Sequence, residues 1–248
     1  MGGYTLMATE LNKLYHSDCR DFLSGCNGKA IDLVVTSPPY NVGIEYETHQ
    51  DEMRYDEYIQ LLNQTFRLCC VRMAPSSVIC VNIGKDYKIN IPAHISGLLE
   101  RVGFKFFIKI IWRKPIGSAN QTALLQPGFP MYLPYLVTED ILIYYKGDKI
   151  KYVTTNDNVM FWRDRFRSNV WDIQPEFSIH HPAIMPKLLA FLLTLFFSNE
   201  EDLVFDPFAG IGTTLIVAKE NRRLYLGTEI SEKYIEIANN QLYQQLLI

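Results

Sequence analysis

An α/β fold with a mostly parallel sheet is predicted by three features of this 248-residue chain. Short apolar runs of strand length alternate with longer segments whose apolar residues recur at helical spacing. Two of those runs end abruptly in turn-forming sequence, "TSPPY" at 36–40 and "DPFAGIGTT" at 206–214. No internal repeat or low-complexity tract breaks the alternation.

The elements follow in order. "DLVVTS" (32–37) reads as a buried strand, "RYDEYIQLLNQTFRLCCVRM" (54–73) as a helix and "SVICVNIG" (77–84) as a second strand. A helix around "PAHISGLLERVG" (92–103) leads to the strand "FKFFIKIIW" (104–112), and "EDILIYYKG" (139–147) supplies another. "PKLLAFLLTLFF" (186–197) is a helix with proline in its first turn. The chain then runs strand "DLVFD" (202–206), helix "GTTLIVAKEN" (212–221), strand "RRLYLGTEI" (222–230) and helix "SEKYIEIANNQLYQQLL" (231–247). The irregular, Pro- and Gly-containing parts, 113–138 and 147–180, read as insertions within one domain spanning 1–248. The six residues before Met7 are given no role.

Composition narrows the function classes. A hydrophobic content of 48% can bury one large core. The formal charge is −3, yet residues 101–167 hold 11 Lys or Arg against 5 Asp or Glu. The remaining residues hold 13 against 22. Such a local excess suits a phosphate-contacting face, and equally a solvated basic one. The five cysteines show no metal-ligand spacing, so a reduced, cytoplasmic chain without metal is expected. The ten-residue run "LLAFLLTLFF" is too short to span a membrane.

"TSPPY" is a stiff element. Pro38 and Pro39 lack a backbone N–H and hold φ near about −65°, so the strand must stop there. Ser37 and Tyr40 are left pointing in fixed directions, although a plain strand-terminating turn would read the same way. In "LVFDPFAGIGTT" a buried strand ends at Asp206, and Gly210 and Gly212 allow close backbone approach to a ligand before the next helix begins. The following strand ends at Glu229, 23 residues after Asp206. An acid in that place suits ribose hydroxyls of a nucleoside. The loop lacks both the Gly-x-Gly-x-x-Gly pattern and a phosphate-binding lysine, which favours a nucleoside without a diphosphate.

Taken together and in this order, "TSPPY" and "DPFAGIGTT" resemble the S-adenosylmethionine-dependent DNA amino-methyltransferases, in the permuted group called the β class. "HSDCRDFL" (16–23), "ILIYYKG" (141–147), "NVWDI" (169–173) and "HHPAIMPKLLAFLL" (180–193) extend the resemblance over nearly the whole chain. It implies a Rossmann-like methyltransferase fold in which the catalytic motif precedes the cofactor loop. It implies S-adenosylmethionine as cofactor, with Asp206, Pro207, Phe208, Gly210, Gly212 and Thr213 around its methionine portion and Glu229 on its ribose. Asp18 would reach the adenine, or is simply a turn residue. His181 and Lys187 would border the methionine end, and Trp171 is read as core.

The implied substrate is a base flipped out of DNA. Ser37 Oγ and the Pro38 carbonyl would accept hydrogen bonds from the target amine, Pro38 and Pro39 would fix the geometry, and Tyr40 would stack on the base. Stacking needs the ring of Tyr40 rather than its hydroxyl. Transfer would be direct, and the absence of any Pro-Cys dipeptide disfavours ring-carbon methylation. Serine in the first motif position favours cytosine N4 over adenine N6. A catalytically silent DNA-binding module is the alternative from another class. DNA contacts are expected from Arg113, Lys114, Arg163, Arg165 and Arg167, the last three along one side of an extended segment with Asp164 facing away. A cognate restriction endonuclease acting separately and a homodimer sharing the contacts complete the expected partners.

Overall fold

The computed structural model describes residues 7–40, 53–85, 89–115, 136–151, 157–177 and 184–244. Its first half runs β1 (Met7–Ala8), β2 (Lys13–His16), α1 (Cys19–Gly25), β3 (Cys26–Asn27), β4 (Ile31–Thr36), α2 (Tyr55–Arg72), β5 (Met73–Ile83) and α3 (Ile91–Val102). The second half runs β6 (Phe104–Arg113), β7 (Thr138–Lys146), α4 (Asp157–Arg165), β8 (Val170–Asp172), α5 (Lys187–Phe197), β9 (Leu203–Asp206), α6 (Thr213–Glu220), β10 (Leu224–Glu229) and α7 (Glu232–Gln244).

Local chemistry sets the ends of these elements. Asn90 accepts the Ala93 N–H and Pro92 occupies the first turn of α3, while Gly103 closes it at φ 110°. Asp18 caps α1 through the Arg20 N–H. β4 and β9 carry apolar side chains on both faces because both faces are covered.

Eight strands form one sheet in the order β2-β10-β9-β4-β5-β7-β6-β8. β2, β10, β9, β4 and β5 are mutually parallel, and β7 alone runs against its neighbours β5 and β6. Leu189, Leu192, Leu193, Leu215, Val217, Ala238 and Leu242 from α5, α6 and α7 pack on one face. Leu23, Tyr58, Leu62, Phe66, Ile95 and Leu99 from α1, α2 and α3 cover the other. The expected Rossmann-like architecture is present, with the strand before "TSPPY" paired directly to the strand before "DPFAGIGTT".

That pairing positions the site. From β4 the chain builds outward through β5, while β9, β10 and β2 lie on the opposite side, so strand order reverses between β4 and β9. Ligands of open α/β sheets bind at such a reversal, outside the carboxyl ends of the strands. The carboxyl ends of β2, β4, β9 and β10 deliver residues 17–18, 37–40, 206–213 and 229–231 to one edge.

Two expectations need correcting. The stretch 147–180 is more ordered than its composition suggests, since it contains α4 and β8, and β8 extends the sheet by pairing parallel to β6. Arg163 and Arg165 therefore lie on a helix and not on an extended segment. Most of the other stretch, 116–135, lies outside the described residues. Among the described residues no helix is long and apolar enough to cross a membrane.

Candidate active site

Asp206 ends β9 with its side chain turned into the protein. It is 4% exposed, and its Oδ1 accepts the Thr36 hydroxyl at 2.7 Å and the Phe208 N–H at 3.0 Å. Burial is the largest influence on this carboxyl and pushes it up to about 6; the Thr36 and Phe208 hydrogen bonds pull the other way. Thr36, the first residue of "TSPPY", is thus a clamp on the acid that ends β9.

The loop after Asp206 is tied down by its own backbone and by β10. Thr228 Oγ1 donates to the Pro207 carbonyl at 2.8 Å, and Ala209 N–H donates to the Thr228 carbonyl at 3.0 Å. Gly212 opens α6 at φ 85°, and a Cβ there would lie 2.9 Å from the Ala238 Cβ. Only glycine meets both demands without strain.

Glu229 is already engaged. Its Oε2 accepts the Gly210 N–H at 2.9 Å, and its Oε1 accepts the N–H groups of Ile230 and Ser231, both at 2.8 Å. A carboxylate offers about four lone-pair positions. Gripping two hydroxyls at once would therefore require one of these N–H bonds to be exchanged. Asp18 is occupied as well: its Oδ1 takes the Arg20 N–H at 2.8 Å and its Oδ2 takes Arg20 Nη2 at 2.7 Å. The Arg20 hydrogen bonds hold the Asp18 carboxyl below the usual range. Its side chain thus caps α1 while lining the cavity of the site.

Across the reversal, Ser37, Pro38, Pro39 and Tyr40 face the same space. They line one cavity of about 360 Å³ together with Asp18, Asp206, Pro207, Phe208, Gly210, Thr213 and Glu229. That is within the size range of small-molecule sites. Of the catalytic and cofactor-binding residues expected from the sequence, Gly212, whose place is the turn into α6, and Lys187 do not line it, and His181 lies outside the described residues. Thr228, Ile184, Met185 and Tyr234 line it too; as uncharged side chains beside the motif residues they carry no signal of their own in the sequence.

Tyr40 departs from expectation. Its ring packs so tightly on Gly84 that a Cβ there would lie 2.8 Å from two ring carbons. Its hydroxyl is also held, by Ser37 Oγ at 3.0 Å, Asn82 Nδ2 at 3.0 Å and Glu139 Oε2 at 2.8 Å. The hydroxyl is part of the arrangement and not incidental to stacking.

The residues expected to contact DNA are dispersed. Lys114 turns inward to pair with Glu139, and Arg113 pairs on the surface with Asp172. Arg163 pairs loosely with Asp164 at 3.5 Å, and Arg165 and Arg167 are exposed. Lys187 pairs with Glu220, Trp171 is buried as expected, and His181 lies outside the described residues.

The chain is similar to known methyltransferases. The type II methyltransferase M.HpaI of Haemophilus parainfluenzae is 29% identical over 93% of this chain and 74% of its own length. M.BglII of Bacillus subtilis is 29% identical over 92% and 68%. Among solved structures, TTHA0409 of Thermus thermophilus, a candidate DNA modification methylase, superimposes with a TM-score of 0.74 and 26% identity. The match covers 95% of this chain and 96% of that one; the same protein has been solved with S-adenosylmethionine. The cytosine-N4-specific PvuII methyltransferase shares the fold, with a TM-score of 0.74 at 19% identity. The profile of the N6/N4 DNA methylases matches residues 31–240, from β4 through the cavity to α7, and the chain belongs to that family.

Proposed function

We propose that this protein transfers a methyl group from S-adenosylmethionine to the exocyclic N4 of cytosine within a short DNA target. The observation that carries the reading is that Ser37–Tyr40 and the Asp206–Thr213 loop, 166 residues apart at their nearest, line one cavity at the sheet reversal.

The residues present suit that cofactor. The cavity combines an apolar wall (Phe208, Ile211, Ile184, Met185) with three acids, Asp18, Asp206 and Glu229, and the nucleoside carries a cationic sulfonium and ammonium on one side of its ribose hydroxyls. When bound, it supplies an electrophilic methyl group. Asp206 would provide negative charge near its methionine portion, and Glu229 would exchange one of its N–H bonds to hold the ribose.

The remaining work falls to the Ser37–Tyr40 loop. An exocyclic amine is a weak nucleophile because its lone pair is delocalised into the ring. Accepting both amine hydrogens, at Ser37 Oγ and the Pro38 carbonyl, favours a tetrahedral nitrogen whose lone pair points at the methyl group. The two prolines fix that carbonyl, since a misplacement of about 1 Å can cost on the order of a hundredfold in rate. The base reaches the loop by leaving the helix and stacking on Tyr40. The enzyme would act in the cytoplasm as the modification partner of a separately acting restriction endonuclease.

The test is transfer of labelled methyl groups from S-adenosylmethionine to duplex DNA, followed by nucleoside analysis. N4-methylcytosine is the expected product. N6-methyladenine would overturn the choice of base alone, and binding of DNA without transfer would return the chain to a silent DNA-binding module.

A further inference from the structure

The reversal of β7 brings a buried acid to the catalytic loop from a distant part of the chain. Because β7 runs antiparallel to β5, its first residues reach the edge where β4 and β5 end. Glu139 is 7% exposed there and Asn82, near the end of β5, is 1% exposed. Glu139 Oε2 lies 2.8 Å from the Tyr40 hydroxyl and 2.8 Å from Asn82 Nδ2, while Lys114 Nζ pairs with Oε1. Asn82 Nδ2 also reaches the Tyr40 hydroxyl at 3.0 Å, and the Ser37 hydroxyl meets it at 3.0 Å.

The donor and acceptor chemistry leaves one arrangement of hydrogens. A carboxylate only accepts, while an ammonium and an amide NH₂ only donate. Oε2 therefore takes one hydrogen from Asn82 and the single hydrogen of the Tyr40 hydroxyl. The Tyr40 oxygen is left to accept, from Asn82 and from Ser37. With its own hydrogen turned toward Tyr40, Ser37 Oγ offers only lone pairs to any further partner. Asn82 keeps its orientation although its Oδ1 finds no partner among the described residues. Flipping the amide would set that oxygen against the carboxylate, so Glu139 dictates the amide orientation as well.

We propose that Glu139 is a positioning residue for methyl transfer, acting through the Tyr40 hydroxyl to hold Ser37 as a hydrogen-bond acceptor toward the target amine. The inference rests on the reading of Ser37 given under Proposed function. Its chemical consequence is specific. A Ser37 hydroxyl free to rotate can donate to the amine nitrogen, and that bond occupies the lone pair that must attack the methyl group.

Glu139→Gln tests this without changing shape. Lys114 Nζ still demands an acceptor, so the introduced amide turns its oxygen to Lys114 and its NH₂ to Tyr40. That NH₂ also faces Asn82, whose amide then turns to present its oxygen, so the Tyr40 hydrogen can go to Asn82 or to Ser37 and no longer fixes Ser37 as an acceptor. Single-turnover methyl transfer by E139Q should fall by about tenfold to a hundredfold, with cofactor affinity and melting temperature close to wild type. Tyr40→Phe breaks the same chain while keeping the ring, and should lose a similar amount. The two losses should not multiply in the double variant, since they interrupt one path.

Replacing Lys114 with Met in the E139Q background lets the amide oxygen turn back toward Tyr40, and should recover about tenfold of the loss. A role for Glu139 in folding alone would show no such recovery. If E139Q does not fold, Tyr40→Phe decides by itself. Wild-type rates in the variants, multiplying losses in the double variant, or no recovery with Lys114→Met would each overturn the proposal. An active wild-type enzyme with unaffected variants removes this inference alone, whereas a wild-type protein that transfers no methyl group to DNA removes the proposed function and this inference with it.

Discussion

Burial pushes the Asp206 carboxyl up to about 6, so the unliganded protein carries an acid that resists ionisation beside a cavity proposed for a cation. Because its folded value exceeds the ordinary 3.8, the folded state binds more protons than the unfolded chain between those values. Stability from this group is present below about 3.8, is lost as pH rises toward about 6, and stays lost above it. Asp206→Asn should therefore be more stable than wild type at pH 8, by up to about 3 kcal/mol, and show little difference at pH 4. Thermal melts at the two values check this, and an equal gap at both would show that the carboxyl is not strained by burial. Cofactor affinity should move oppositely. In the wild type it should strengthen as pH rises through about 6 and the acid ionises. In the Asn variant it should be weak and flat in calorimetry across the same range. Gly84 makes a second residue-level point, since a Cβ there would lie 2.8 Å from the Tyr40 ring. Gly84→Ala should displace the ring and lower single-turnover transfer by about tenfold or more, leaving cofactor affinity within about twofold of wild type.

Elements are legible in the sequence wherever one period dominates. The central strands are continuous apolar runs because helices cover both faces, and α2, α3 and α7 show their buried stripe. α4 escapes such reading because "FWRDRFR" places arginine at every second position (163, 165 and 167), which imitates a strand. The structure shows the competing signal: Trp162 and Phe166, four apart, stack at 6.0 Å, and they reach Phe191 and Trp171 at 5.4 and 5.5 Å. The helix is set by what it packs on. Its geometry changes the expectation for DNA, because residues two apart on a helix point about 200° from each other. Arg163 and Arg165 cannot both lie along one backbone. Replacing both with Ala should lower the slope of log affinity against log salt by about one phosphate contact, roughly 0.9, and not two. A drop near two would mean that DNA wraps the helix; no drop would leave both side chains as solvated surface. The site follows the same logic. Ser37–Tyr40 and Asp206–Thr213 are readable as contiguous motifs. Asn82 and Glu139 are not, because only the antiparallel run of β7 brings residue 139 to residue 40.

At the scale of the whole molecule, the arrangement of the chain makes the early and late segments mutually dependent. β4 is flanked by β5 and β9, with Leu33 opposite Val204 and Val34 opposite Phe205, so the sheet's centre joins positions about 171 residues apart. Thr36 on one strand clamps Asp206 on the other, and the two sides of the proposed site rest on that seam. Without β9, one edge of β4 would expose unpaired backbone and apolar side chains together. Residues 1–248 should accordingly unfold as a single cooperative domain, and long-range pairing of this kind makes folding slow. Calorimetry should give one transition, with amides of β4 and β9 exchanging hydrogen at the same free energy. S-adenosylmethionine at about a hundredfold its Kd should stabilise the fold by about 2.7 kcal/mol. For a chain of this length that raises the melting temperature by roughly 5 to 10 °C. The shift should be the same for probes in β5 and in α7, since the ligand is proposed to hold both sides of the seam. A second transition that ignores the cofactor would divide the chain into independent units and remove the single-domain reading.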